Sequence, residues 1–396
     1  MIKVAQRVVS IPPSATMESD RKARAMCAEG KNVLSFAVGE PDFPTPENII
    51  QAARRAMDEQ KTKYTNASGI DELKRAICDM TQHTLGLSYE PSEVCVSSGA
   101  KHSLANIFGT MLDPGDEVIV IAPYWVSYPD LIRLFDGVPV EVATTGADDF
   151  QPCVEDISRA ITDRTVAIVV NSPNNPTGGV ISSDVLTDLA ALVVEKDLVL
   201  LTDEVYKDIL FDGRSHTSPA TLPDMRERTI IIDGVSKSYS MTGWRIGWAL
   251  GPVDFIRNMS NLQSQMTANP NSIAQWAALE ALTGPQDAVR HMCQAFEQRR
   301  DYIVAALCDI EGVKCTMPGG AFYVFPDISA YFGKKLGGRD IQSSKDLTDY
   351  LLDEAWVSAV PGSGFGAEGY FRISFACSME QIEEGINRIR RALSVA

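Results

Sequence analysis

Between residues 94 and 250 the hydrophobic positions gather into short, nearly continuous runs at 94–97, 118–121, 166–170, 198–202, 229–233 and 246–250. Runs this short and this rich in Val and Ile suit strands buried on both faces. The longer stretches between them mostly show the mixed spacing of helices. The pattern therefore predicts an α/β fold with a mostly parallel sheet covered by helices on both sides. Turn residues mark the boundaries. Asp113-Pro114-Gly115-Asp116 separates a helix over 100–112 from the next strand, and Ser183 or Asp184 caps a helix leading to Lys196.

The rhythm changes towards the C-terminus. A long charged helix over about 287–309 precedes apolar runs at 321–325, 357–360 and 371–375, and a helix over about 378–393 closes the chain. This predicts a smaller α/β layer. The division expected is 1–44, an arm with one helix ending near Gly30 that packs with that layer or against a partner subunit; 45–285, a large domain; and 286–396, a small C-terminal domain.

Composition narrows the function. The 396 residues are 45% hydrophobic, enough for a large core, and 36 Lys and Arg against 52 Asp and Glu leave a net charge of -16. Nucleic acid and anionic membrane lack an electrostatic driving force towards such a chain, which points to small-molecule chemistry. The eight cysteines form no CxxC pair, and the four histidines match no zinc spacing, so no metal site is expected. No run of 18 apolar residues and no leader-like pattern over 1–10 occurs, and the expected location is the cytoplasm.

The strongest chemical signal is Ser236-Lys237-Ser238-Tyr239-Ser240-Met241-Thr242-Gly243-Trp244-Arg245. A lone Ser-Lys pair is ordinarily solvated surface. Here Lys237 emerges just past the carboxyl end of a buried strand, where open α/β sheets bind ligands. A lysine amine beside hydroxyl and arginine donors suits pyridoxal 5'-phosphate, whose aldehyde takes the amine and whose phosphate takes the donors.

Other strand ends supply the remaining groups. Asp203, alone readable as a helix cap, offers a carboxylate to the ring nitrogen, and Tyr206 offers a phenol to the 3'-oxygen. Ser98-Gly99-Ala100-Lys101 opens a helix, whose Gly99, Ala100 and Lys101 amides can face the phosphate with Ser236 and Arg245. Trp125 can stack on the ring or simply pack in the core. Asn175, in the amide- and proline-rich loop 171–178, can hold the 3'-oxygen or serve turn chemistry alone. Arg372 sits inside the apolar run Phe371-Arg372-Ile373-Ser374-Phe375, a costly position unless an anion such as a substrate α-carboxylate pairs with it.

With Gly39-Glu40-Pro41-Asp42-Phe43, Lys63-Tyr64, Pro123-Tyr124-Trp125-Val126-Ser127-Tyr128 and Asn174-Asn175-Pro176-Thr177-Gly178, these motifs make nearly the whole chain resemble class I pyridoxal-phosphate aminotransferases, in particular the aspartate/prephenate branch of the aspartate-aminotransferase family. The resemblance implies a fold type I enzyme whose large domain carries a seven-stranded sheet with one antiparallel strand, and a homodimer with Tyr64 reaching the neighbouring site. It implies Lys237 as the Schiff-base lysine and proton shuttle, with Asp203, Tyr206, Asn175 and Trp125 around the ring. Gly39 and Arg372, with Trp125 and Asn175 beside them, would take the substrate.

The resemblance also bears on the substrate. Residues 258–289 contain no Lys or Arg, so the arginine that classical aspartate aminotransferases bring from the partner there is missing. In this branch Lys101, helped by Ser14-Ala15-Thr16, can serve the distal carboxylate. The expected reaction is amino transfer from L-aspartate to 2-oxoglutarate. Prephenate users commonly have a lysine where this chain has Pro12. The alternatives are prephenate, aromatic or alanine-type transfer, or a carbon–sulfur β-lyase on the same fold. A DNA-binding regulator with an aminotransferase-like domain lacks its basic extension here.

Overall fold

The structure is a computed structural model and describes residues 2–9 and 11–394. Seven strands form the main sheet: β1 (Val94–Ser97), β2 (Glu117–Ala122), β3 (Val138–Ala143), β4 (Thr165–Asn171), β5 (Val199–Asp203), β6 (Thr229–Gly234) and β7 (Gly247–Leu250). Their spatial order is β1-β7-β6-β5-β4-β2-β3. β7 runs antiparallel to both its neighbours, and every other pairing is parallel.

Alternation along each strand feeds two cores, one on each face. On β7, Trp248 and Leu250 join one apolar cluster and Ala249 the other. All six expected central runs are strands, each within a residue of its expected ends. β3 is the one strand of the main sheet that no expected run covers. Its run Val-Pro-Val-Glu-Val-Ala is half exposed, and Pro139 has no N–H for a ladder, which suits only the sheet edge it occupies.

Five helices matter for the site: α1 (Ala15–Ala28), α2 (Ala100–Met111), α3 (Ser183–Glu195), α4 (Asp287–Cys308) and α5 (Met379–Leu393). The cap of α3 is Ser182, whose hydroxyl accepts from the Val185 amide at 3.3 Å, one residue before the expected Ser183 or Asp184. Of three consecutive hydroxyl or carboxyl candidates, the one with extended backbone takes the cap. The cap of α5 is Ser378, in a reciprocal box with Gln381.

The second layer holds β8 (Tyr323–Val324), β9 (Val360–Pro361) and β10 (Phe371–Ser374), antiparallel in the order β9-β10-β8. The run expected as one strand over 357–360 divides: Val357–Ser358 pairs in parallel with Leu34–Ser35 of the N-terminal segment, and Val360 starts β9. α4 and α5 pack on this layer, with Phe296, Ile303, Ile386 and Ile389 in its core.

Candidate active site

The parallel strands point their carboxyl ends at one cleft of about 300 Å³, which the C-terminal layer covers from the other side. Register places Asn171, the last residue of β4, beside Asp203, the last of β5. Lys237 follows β6 by three residues. Gly99 caps α2, whose first amides face the same space. The sheet therefore gathers at one edge groups that lie more than 130 residues apart in sequence.

Lys237 Nζ donates to the Gly39 carbonyl at 2.7 Å. Burial and, after it, the positive charge of Arg372 bring the amine down to about 8. Asp203 is buried, and burial raises its carboxyl to about 6. Tyr128 donates to its Oδ2 at 2.6 Å, and the Val205 amide reaches Oδ1 at 3.4 Å. Asn171 Nδ2 fixes the Asp203 carbonyl at 2.9 Å, and its Oδ1 accepts the Asn175 amide at 2.8 Å.

Opposite these, Arg372 is held on β10, buried, between the rings of Tyr323 and Phe365 at 4.6 and 5.1 Å from its guanidinium carbon. Its Nη1 donates to Asn175 Oδ1 at 2.8 Å and its Nη2 to the Ala37 carbonyl. Among the described residues Nε has no hydrogen-bond partner, so a buried guanidinium keeps one donor unmet. No carboxylate among the described residues pairs with it, and such a group calls for an anionic ligand. The Tyr206 and Tyr323 hydroxyls are 2.7 Å apart. A Cβ on Gly39 would collide with that Tyr323 hydroxyl, which explains the glycine.

Gly99 has φ +92, and a side chain there would strike the Arg245 guanidinium. Glycine thus lets the arginine lie against the start of α2, forming an anion cradle of amides and cation. Gly99→Ala should lower affinity for a phosphate-bearing cofactor by about tenfold or more, through strain and displacement of Arg245. Equilibrium titration of cofactor into the apoprotein measures it. Lys101, the second residue of α2, has its amine 4.8 Å from the Trp125 ring. Partial desolvation and then the charge of Arg245 lower its pKa, although the residue as a whole is exposed.

Every site residue expected from the sequence lines this cleft except two. Gly99 stands behind Arg245. Tyr64 lies elsewhere on the surface, 90% exposed. Thr16, at the start of α1, faces the cleft with Ser14 and Lys101. Unforeseen were Tyr323 and Asn171 as fixing groups, and Tyr128 as the partner of Asp203. Tyr128 and Asn171 stood only inside the segments 123–128 and 171–178, and Tyr323 only inside the apolar run 321–325, because each contact joins distant segments. Glu40, which accepts from the Thr242 hydroxyl, was likewise seen only as a motif letter.

The lowered amine has a consequence for stability. The folded cofactor-free protein holds Lys237 at about 8, below the ordinary 10.5. Below pH 8 the protonated amine costs stability, and between 8 and 10.5 the folded state has released a proton that the unfolded chain retains. Stability therefore rises with pH across that window, by at most about 3 kcal/mol from this group. Urea unfolding of apoprotein on either side of the window should show this gain in the native chain and its loss in Lys237→Met.

A doubly wound sheet with one antiparallel strand, a lysine past its sixth strand and a buried acid on its fifth define the fold type I pyridoxal-dependent class. Residues 31–389 match the family described as aminotransferase class I and II. The aspartate aminotransferase of Geobacillus stearothermophilus is 45% identical over 98% of both chains. The aspartate/prephenate aminotransferase of Cereibacter sphaeroides is also 45% identical over 98% of both. Among solved structures, an aspartate aminotransferase from Rhizobium meliloti superposes with a TM-score of 0.97 at 41% identity, covering all of both chains. One from Thermus thermophilus, solved with maleate, gives 0.93 at 43% identity over 99% of this chain and 100% of that one. The chain belongs to the class I and II aminotransferases, and it is an enzyme of that family.

Membership implies pyridoxal 5'-phosphate. The donor set fits it: a lysine amine near neutrality, a buried carboxylate, and an arginine set against a helix start. Among the described residues no helix is long and apolar enough to cross a membrane, and no group of metal-binding side chains occurs.

Proposed function

We propose that this enzyme transfers the amino group of L-aspartate to 2-oxoglutarate, using pyridoxal 5'-phosphate held in the cleft. The observation that carries the substrate is the pair of cationic side chains, Arg372 and Lys101, in the one cleft that also contains Lys237. A substrate with an acid at each end meets a cation at each end. The maleate of the Thermus thermophilus structure, itself a dicarboxylate, supports this reading.

In the proposed arrangement Ser236, Arg245 and the amides of Gly99, Ala100 and Lys101 hold the phosphate, with Tyr64 supplied by the second subunit of a homodimer. Trp125 covers the ring, and Tyr206 and Asn175 hold its 3'-oxygen. When bound, the cofactor accepts the electron pair left at the substrate Cα and carries the amino group between the two acids. Lys237 would hold the cofactor's aldehyde at rest. Once displaced by the incoming amine, its Nζ would take the proton from the substrate Cα and deliver it to the cofactor carbon on the other side of the transferred nitrogen, and an amine held at about 8 is suited to both transfers. Asp203, fixed by Tyr128 and Asn171, keeps a proton on the ring nitrogen. Arg372 and Gly39 orient the α-carboxylate, and Lys101 and Thr16 the distal one.

We take 45–285 as the cofactor-binding domain and 286–396 with part of 1–44 as the smaller one, in a cytoplasmic enzyme. Prephenate would have to manage without a lysine at Pro12, which borders an adjacent cavity with Ser14. Purified enzyme given L-aspartate and 2-oxoglutarate should form oxaloacetate and glutamate in equal amounts. Release of ammonia and a keto acid without an acceptor would instead identify a lyase.

A further inference from the structure

Directly behind Asp203, on the face of β5 turned away from the cleft, lies a second carboxylate, Glu204, only 1% exposed. Its Oε1 accepts from Ser218 at 2.6 Å and from Thr202 at 3.1 Å, and His216 Nε2 stands 2.9 Å from Oε2, at ion-pair distance but outside hydrogen-bond geometry. None of these residues touches the cleft. A carboxylate this deep requires a counter-charge. The nearby cation Lys207 is already committed to buried Asp233.

We propose that His216 and Glu204 form a charge-compensated pair that positions Asp203 and sets the electrostatic field at the active-site end of β5. Asp203 and Glu204 are consecutive, and the Glu204 amide extends the sheet to the Ile232 carbonyl at 2.8 Å, so the two carboxylates are rigidly linked back to back. The charges of Asp233 and Glu204 both push the Asp203 carboxyl upward. Uncompensated, Glu204 would over-stabilise the protonated ring nitrogen and the protonated Lys237 amine, which must release its proton to act as a base. Compensated, it anchors the strand end without that bias.

The surroundings are charged on every side, which makes the balance specific to this pair. Lys207, Asp233 and Asp208 flank it along the strand ends. Tyr89, under the Arg226 guanidinium, lies on another side, close enough to feel Glu204. His216 also borders an outer groove shared with Arg75, Asp79 and His83 of the helix Asp71–Leu85, and with Tyr239. Solvent in that groove reaches the imidazole side of the pair and not the carboxylate.

The inference rests on the cofactor reading above, and the test separates the two. The visible absorption of the holoenzyme is followed against pH for the native chain, Glu204→Gln, His216→Gln and the double variant. Removing the acid makes the site more positive, so protonated cofactor forms lose favour and the midpoint should fall. Removing the imidazole should raise it, each by about half to one pH unit, with the double variant returning near the native value. A merely structural role would move both single variants the same way or not at all, and either result overturns the proposal. Should one single variant fail to fold, the sign of the other and the return in the double variant still decide. A native chain without visible absorption would refute the cofactor reading itself.

Discussion

Lys237→Ala should bind pyridoxal 5'-phosphate and retain less than about one part in 10⁴ of native turnover. The amine is the one group in the cleft that combines burial, a pKa near 8 and a fixed direction from its bond to the Gly39 carbonyl. The phosphate cradle at Gly99 and Arg245, and the Asp203 carboxylate, do not depend on it, so affinity for the cofactor survives while proton movement at Cα does not. Arg372 also loses a neighbouring positive charge. Steady-state assay of the reconstituted variant measures the loss, and near-native turnover would remove Lys237 from the reaction.

Lys101→Ala should raise KM for aspartate by about 10- to 100-fold and leave KM for a neutral amino acid within about threefold, since one charge-assisted contact is lost for the diacid alone. The amine sits against the Trp125 ring with the charges of Arg245 and Asp130 nearby. An equal effect on both substrates would show that Lys101 serves only to shape the cofactor end of the cleft.

Much of this was readable from the chain. Strands buried on both faces leave continuous apolar runs, so the sheet interior announced itself, and catalytic residues just past those runs could be located at once. The edge strand β3 could not be recognised that way, because one side faces solvent and Pro139 breaks the pattern. The direction of β7 was hidden for another reason: an apolar run looks the same whichever way it points. Arg372 was visible as a cation in a hydrophobic strand, yet its clamp between Tyr323 and Phe365 depends on segments folded together from afar. The same holds for Tyr128 on Asp203. Glu204 and His216 carried no signal at all, since a carboxylate after Asp203 and a histidine in a loop are ordinary until burial joins them.

Exchange of an amino group between diacids in one cleft is tested most directly by the half-reaction, which needs no coupled assay. L-aspartate is added alone to holoenzyme while its visible absorption is recorded, and 2-oxoglutarate is added afterwards. The account predicts that aspartate converts the absorption fully to that of the aminated cofactor and that 2-oxoglutarate restores it. A holoenzyme whose absorption is present but unchanged by aspartate would contradict the account, and with it the role given to Lys101.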